Sequence, residues 1–140
     1  MKNNAIALIS RIREEANKFI ILKLQENEIK GLVPSHGDIL AVLYKYKTCT
    51  MKELAQKIHR TKATLTVLVD KLIALNFIEK EKSLKDNRIT YIKLTEKGLS
   101  LQPVFEKISY ELNEKIYKKF TSQESEALEA LLEKLYKNLE

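Results

Sequence analysis

The order of elements between Thr50 and Gly98 constrains this chain more than any other feature of its sequence. The segment TMKELAQKIH reads as a short helix, and RTKATLTVLVDKLIALN reads as a second helix after a tight turn. Two strands follow, FIEKEK and ITYIKL, on either side of the polar loop SLKDNR, and a new helix begins at TEKG. This order predicts a winged helix-turn-helix, a fold that places its second helix in the major groove of DNA.

Capping residues mark where the two helices of the helix-turn-helix are expected to begin. Thr50 and Glu53 form a T-x-x-E pair that predicts a helix over residues 51–58. Thr61 is placed to cap the next helix, which is expected to run to about Leu75. Both helix starts are therefore predicted from single side chains.

Similar signals define the flanking helices. Ser35 as N-cap, with Asp38 at the third helical position, predicts a helix that begins after Ser35. Thr95 predicts the start of one long helix, in which Pro103 either introduces a kink or marks a later true start. A third T-x-x-E pair, at Thr121, opens the last helix.

The length of 140 residues favours a single domain, residues 1–140. A winged DNA-binding lobe needs only residues 35–98, and the helical segments at both chain ends carry broad apolar faces that this lobe cannot cover. Residues 1–30 and 99–140 are therefore predicted to form a helical dimerisation region, with a helical bundle inside one chain as the alternative. The predicted class is mainly α with a small β-wing: a winged helix-turn-helix flanked by N- and C-terminal dimerisation helices. A two-fold dimer would hold its recognition helices about 34 Å apart, or a multiple of that distance.

The net charge of +6 is unevenly distributed along the chain. Residues 51–100 carry eleven Lys and Arg against six Asp and Glu, whereas residues 101–140 carry six against eight. The basic excess therefore coincides with the predicted helix-turn-helix, which favours a polyanionic partner. Lys-rich chains are also often basic without binding nucleic acid, so charge alone does not decide the partner.

The predicted location is the cytoplasm. Cys49 is the single cysteine, so no intrachain disulfide can form, which fits a reducing compartment. Charged residues interrupt the N-terminal segment where a signal peptide would need a continuous apolar run. No apolar run approaches the ~20 residues that span a bilayer, so no membrane partner is expected.

The buried stripe of the second helix predicts which of its side chains face DNA. Leu65, Leu68 and Leu72 recur on one face, so the opposite face and the helix start are expected to be exposed. Ala63 and Val67 are apolar on that exposed face, which suits contact with thymine methyl groups. The predicted DNA-binding residues of this segment are Arg60, Thr61, Lys62, Ala63, Thr64, Thr66 and Val67.

The hairpin loop supplies a second set of candidates. Lys85, Asn87 and Arg88 are predicted to bind DNA, because a hairpin tip that bears an Arg can enter a narrow, electronegative minor groove. Asp86 is predicted to structure the wing, by bonding to its backbone or by orienting Arg88. The alternative for each of these residues is a solvated polar surface.

Three segments carry a resemblance to a known family: PSHGDILAVL, MKELAQKIHRTKATLTVLVDKL and above all DNRITYIKLTEKG, with its D-x-R, alternating strand and L-T-x-x-G. They resemble the MarR family of bacterial transcription regulators. The resemblance implies a homodimer with interleaved terminal helices. It also implies a repressor that binds double-stranded operator DNA and releases it on binding a small aromatic or anionic effector. It places the D-x-R pair of the family on Asp86 and Arg88, and the polar start of the recognition helix on residues 61–66.

Other functions remain as alternatives. Cys49 precedes the helix-turn-helix, which leaves open a redox-responsive regulator, although a buried small residue is the simpler interpretation. A winged-helix protein-interaction module without DNA binding is a second alternative. No metal site is predicted, because the two histidines, His36 and His59, lie on different elements. No enzyme activity and no cofactor are predicted, since the chain has neither a Gly-rich phosphate loop nor a nucleophile motif. No effector-binding residues are predicted.

Overall fold

The computed structural model describes residues 2–140, which form seven helices and three strands. In chain order the elements are α1 (Ala5–Glu26), α2 (Pro34–Tyr46), β1 (Thr48–Thr50), α3 (Met51–Ile58), α4 (Lys62–Ala74), β2 (Ile78–Lys82), β3 (Thr90–Leu94), α5 (Glu96–Ser100), α6 (Gln102–Ile116) and α7 (Ser122–Leu139). The predicted class, mainly α with a small β-wing, is confirmed.

The helix-turn-helix forms as its caps predict. The hydroxyl oxygen of Thr50 accepts a hydrogen bond from the backbone N–H of Glu53 at 3.1 Å, and that of Thr61 accepts one from Thr64 at 3.2 Å. Between α3 and α4 the chain turns at His59, whose φ of 54° lies in the left-handed region. Each threonine satisfies a first-turn N–H that has no partner inside its helix.

A three-stranded antiparallel sheet anchors the wing to the lobe. β3 lies in the centre, paired with β2 on one side and with the short strand β1 on the other. Ile92 of β3 lies opposite Cys49 of β1 and Lys80 of β2, and both Ile92 and Cys49 are buried. Because β1 leads directly into α3, the sheet ties the base of the wing to the helix-turn-helix.

The predicted start of α2 at Ser35 was wrong. The helix begins at Pro34, with Val33 as the N-cap residue, and the backbone N–H of Val33 donates to Nδ1 of His36 at 2.9 Å. Proline suits the first helical position because its φ is already helical and its missing N–H would have no partner there. His36 therefore occupies the third helical position that was expected for Asp38, and its side chain accepts the hydrogen bond from the N-cap N–H.

After Thr95 the chain forms two helices in place of one long helix. Thr95 caps only the short helix α5, by accepting from the N–H of Gly98 at 3.1 Å, and α6 starts anew at Gln102. Pro103 explains the break, because proline cannot donate to the carbonyl four residues earlier and its ring collides with that turn. Of the two outcomes expected for Pro103, the later true start is the one observed.

The hydrophobic core extends beyond the predicted limits of the lobe. Leu24 of α1 and Ile108 of α6 are buried in the same cluster as the leucines of α2 and α4. Tyr44 is buried there, whereas Tyr46 is 46% exposed. The chain divides into two compact units, one ending at Ile108 and one comprising Ser109–Glu140.

Candidate nucleic-acid interface

The outer face of α4 is exposed where the sequence predicted. Ala63 and Val67 lie on the solvent side, and Val67 is 70% exposed. Thr66 is half-buried, and its hydroxyl donates to the carbonyl oxygen of Lys62 at 2.9 Å. This bond leaves the lone pairs of the Thr66 oxygen as acceptors. The buried face includes Val69 in addition to the predicted stripe of Leu65, Leu68 and Leu72.

The start of α4 has the chemistry of an anion site. Thr61 and Thr64 are both exposed, and their hydroxyl groups are 3.1 Å apart in a hydrogen bond. Lys62 is exposed beside them. The first-turn N–H groups and the positive end of the helix dipole point towards the same end, which attracts anions such as phosphate.

Arg60 is directed towards the protein. Its guanidinium donates to the hydroxyl of Ser35 at 3.4 Å and to the carbonyl oxygens of Ile58 and His59 at 3.5 and 3.4 Å. The side chain therefore connects the turn of the helix-turn-helix to the start of α2. Its contact with DNA stays a prediction.

A short acidic side chain helps to hold the loop of the wing. Asp86 accepts a hydrogen bond from the backbone N–H of Arg88 at 3.0 Å, and its two carboxylate oxygens accept from Nε and an Nη of the Arg88 guanidinium, both at 3.1 Å. Both roles that the sequence offered for Asp86 are therefore present together. Lys85 and Asn87 are exposed on the same loop.

Asp86 and Arg88 each stabilise the charged form of the other. Hydrogen bonding to Arg88 holds the pKa of the Asp86 carboxyl below its usual value, and Asp86 in turn raises the pKa of Arg88. The pair is solvent-exposed, so it adds little to the stability of the fold. Its consequence is geometric, because the bidentate contact fixes the direction of the guanidinium.

An open groove of about 770 Å³ connects the helix-turn-helix to the base of the wing. It is lined by Thr50, Met51, Lys52, Ala55, Gln56, Lys62, Arg88, Ile89 and Thr90. The groove brings Lys62 of the recognition helix and Arg88 of the wing to one surface, although they are far apart in sequence. Their neighbours Lys52 and Gln56 on α3 were not predicted as site residues. They fall on the solvent face of α3, opposite the buried Leu54, and that periodicity was the available signal.

Asp70 places a negative charge further along α4. Its carboxylate lies 3.9 Å from Nζ of Lys80 on β2. Both side chains are well exposed, so the pair contributes little stability. The contact nevertheless offsets the repulsion that an unpaired Asp70 would exert on a phosphate.

The buried position of Cys49 weighs against the redox alternative. The residue is 1% exposed, and burial raises the pKa of its thiol, with Glu53 adding to the shift. A reactive cysteine needs an exposed, electropositive setting that lowers the pKa. Among residues 2–140, no group of three or more His, Cys, Asp or Glu side chains is arranged to hold a metal ion. Within the same range, no helix is both long and apolar enough to cross a membrane.

A sequence model of the MarR family matches residues 32–90, which contain the helix-turn-helix and most of the wing. The HTH-type transcriptional regulator BilQ of Clostridium symbiosum is 31% identical over 133 residues, which cover 91% of this chain and 87% of that protein. The chain belongs to the MarR family. The uncharacterized HTH-type regulator YwhA of Bacillus subtilis is 24% identical over 119 residues, covering 81% and 86% of the two chains.

Solved MarR-type structures share the fold along the whole chain. The S. aureus MepR–DNA complex superposes with a TM-score of 0.86 at 22% identity and covers all of both chains. A mutant MarR from E. coli complexed with operator DNA gives a TM-score of 0.82 at 21% identity, covering 96% of this chain and 98% of that one. The winged helix-turn-helix assignment is therefore confirmed.

Proposed function

We propose that the chain is a sequence-specific DNA-binding transcriptional regulator that binds a pseudo-palindromic operator as a homodimer. The observation that carries the proposal is the groove in which the start of α4 and the base of the wing meet. Three cationic side chains line it, Lys52, Lys62 and Arg88. A groove that carries three cations beside an exposed recognition helix matches the phosphate backbone on either side of a major groove.

The side chains divide into two kinds of contact. Thr61, Lys62 and Thr64, at the positive end of α4, bind phosphates and fix the register of the protein on DNA. Ala63, Thr66 and Val67 face the base edges, where the two apolar side chains meet thymine methyl groups and the Thr66 hydroxyl bonds a base edge. The wing residues Lys85, Asn87 and Arg88 bind the adjacent minor groove and its phosphates, with Asp86 holding the loop in shape.

The homodimer rests on the apolar surface of the chain ends. Large apolar side chains are exposed on α1, among them Ile6 and Ile12, and on α7, among them Leu131 and Leu139. Residues 1–30 and 99–140 would bury these faces against a second copy, leaving residues 35–98 as the DNA-binding lobe. The alternative, an interaction module without DNA binding, does not explain why Lys52, Lys62 and Arg88 line one groove. Such a regulator works in the cytoplasm, on double-stranded DNA.

Regulation follows the pattern that the family resemblance implies. The protein represses transcription while bound, and a small aromatic or anionic effector releases it. The effector would have to bind the free and DNA-bound conformations with different affinities in order to shift the equilibrium. No catalytic step is involved in this cycle.

Binding to the DNA upstream of its own gene tests the proposal. The purified protein is titrated into this duplex across a salt series, with unrelated DNA as competitor. We expect tight, competitor-resistant binding with a log–log salt slope of about −0.9 per phosphate contacted. Weak binding that is equal on both DNAs would argue for an interaction module.

A matched pair of variants locates the surface. Lys62→Gln removes a predicted phosphate contact and is expected to reduce the salt slope by about 1. Lys118→Gln removes the same charge from an exposed position in the second compact unit and is expected to leave the slope unchanged. Equal effects of both changes would indicate binding through net charge alone.

A further inference from the structure

Leu84, in the loop of the wing, is fully exposed, at 103% of its reference area. Among the described residues of the winged lobe, 35–98, Val67 on the recognition helix is the next most exposed large apolar side chain, at 70%. These two apolar side chains therefore lie on the two elements proposed to read DNA. Single exposed apolar residues are common on protein surfaces, so the position of Leu84 needs a second argument.

The backbone around Leu84 is tied down on both sides. The hydroxyl oxygen of Ser83 accepts hydrogen bonds from the N–H groups of Lys85 and Asp86, at 3.2 and 3.3 Å. The N–H of Ser83 donates to the carbonyl oxygen of Ile89 at 2.9 Å. The N–H of Ile89 in turn donates to the carbonyl oxygen of Asp86 at 3.0 Å. The loop therefore holds Leu84 outward and opposes its folding back onto the lobe.

The charges next to Leu84 indicate what could cover it. Lys85 follows it directly, and the guanidinium of Arg88 is oriented on the same loop by Asp86. Two cations on the same loop as an apolar side chain match a surface in which phosphates flank an apolar interior. The minor groove of DNA is such a surface, with deoxyribose and base edges between two rows of phosphates.

We propose that Leu84 is an apolar wedge that the wing inserts into the minor groove, where it packs against deoxyribose and opens a flexible base step. The proposal rests on the DNA-binding function proposed above and adds one determinant to it. Pyrimidine–purine steps such as TA and CA unstack most easily. The operator is therefore expected to carry such a step at the position that the wing contacts. Leu84 would then select sequence by the deformability of DNA, without a hydrogen bond to a base.

The test begins with a duplex that the unaltered protein selects from a random-sequence pool. Leu84→Ser should weaken binding to this duplex about tenfold while leaving the salt slope unchanged, because no phosphate contact is lost. Leu84→Met keeps an apolar side chain of similar volume and should restore most of the affinity. Lys85→Gln, the matched charge control, should reduce the salt slope by about 1 on selected and unrelated DNA alike.

Two further measurements separate a wedge from an ordinary contact. Energy transfer between dyes at the ends of the selected duplex should report a bend that Leu84→Ser reduces and Lys85→Gln retains. Replacing the pyrimidine–purine step at the wing position by a stiffer step should weaken the unaltered protein but not Leu84→Ser.

The outcomes distinguish this proposal from the function on which it rests. If the unaltered protein selects no duplex, the DNA-binding proposal fails and the wedge fails with it. A selected duplex that Leu84→Ser binds as tightly as the unaltered protein would overturn the wedge alone. A change in the sedimentation of Leu84→Ser without DNA would overturn it too, because a second copy of the chain would then be what covers Leu84.

Discussion

The hydroxyl of Tyr44 donates a hydrogen bond to the carbonyl oxygen of Gly98 at 2.8 Å. The bond joins α2 to α5 across the base of the wing, between residues that are far apart in sequence. Burial raises the pKa of Tyr44 to about 12, with Glu106 adding to the shift. The phenol therefore remains protonated, and available as a donor, at neutral pH.

Replacing Tyr44 by Phe should lower the free energy of unfolding by about 0.5–1.5 kcal/mol, because the carbonyl of Gly98 loses the phenol and keeps the longer hydrogen bond from the N–H of Leu101, at 3.3 Å. The ring remains, together with its contact to Phe105, whose centroid lies 6.3 Å away. Urea denaturation measures the change. Tyr46→Phe removes the same hydroxyl from an exposed side chain and should change stability by less than about 0.5 kcal/mol. Equal losses in the two variants would show that the buried hydrogen bond contributes nothing.

Gly98 and Gly37 should respond in opposite directions to the same change. A Cβ on Gly98 would overlap the backbone carbonyl oxygen of Phe77, so Gly98→Ala is expected to destabilise the fold by at least about 2 kcal/mol. A Cβ on Gly37 would meet the ring of Phe105 at 3.6 Å, an ordinary contact, inside helix α2. Gly37→Ala should therefore stabilise the protein by about 0.5–1 kcal/mol, the helix propensity of alanine. Thermal unfolding of both variants checks the signs, and a loss of stability in Gly37→Ala would contradict the prediction.

The features predicted from the sequence are those that local chemistry decides. The caps at Thr50, Thr61 and Thr121 form as expected, because each bond joins groups three residues apart. The buried stripe of α4 follows from helical periodicity alone. At the start of α2 two local signals favoured different first residues, because Ser35 can act as a cap and Pro34 suits the first helical position. The helix begins at Pro34.

The groove could not be predicted, because it depends on where the wing lies relative to α3. The pairing of β1 with β3 brings Thr90 and Arg88 beside Lys52 and Gln56, and no short-range pattern indicates that pairing. The inward direction of Arg60 has the same origin, since its partner Ser35 is 25 positions earlier in the chain. Tertiary contacts thus decided which of the predicted basic residues line the candidate site.

Arg88→Ala should weaken operator binding by about 1–3 kcal/mol and leave the dimer intact. The variant loses the oriented guanidinium and also the contact that Asp86 makes with it. Fluorescence anisotropy with labelled operator measures the affinity, and sedimentation measures the dimer. Arg88→Lys is the control: it keeps the charge but not the bidentate geometry, so it should retain the salt slope and recover only part of the affinity. Unchanged affinity in Arg88→Ala would remove this residue from the contacts with DNA.

His36 should make the stability of the fold depend on pH. Its Nδ1 accepts the N–H of Val33, which requires an unprotonated nitrogen, and the side chain is 5% exposed. Burial lowers the pKa of His36 below its ordinary value of 6.5, and the positive charge of Lys71 lowers it further. The unfolded chain therefore binds a proton at a higher pH than the folded chain does. As the pH falls below 6.5, protons bind the unfolded state first, so the free energy of unfolding decreases until the pH reaches the lowered pKa.

Comparison with His36→Gln isolates this contribution. Glutamine at the third helical position can still accept the N–H of Val33 but does not titrate, so the variant should lose less stability than the unaltered protein between pH about 8 and about 5. Urea denaturation across this range gives the difference between the two proteins, in which the other titrating groups cancel. The difference in the free energy of unfolding should be constant above the ordinary histidine pKa. As the pH falls below that value, the stability of His36→Gln should rise relative to that of the unaltered protein. Parallel pH profiles for the two proteins would show that His36 has the same pKa in the folded and unfolded chains.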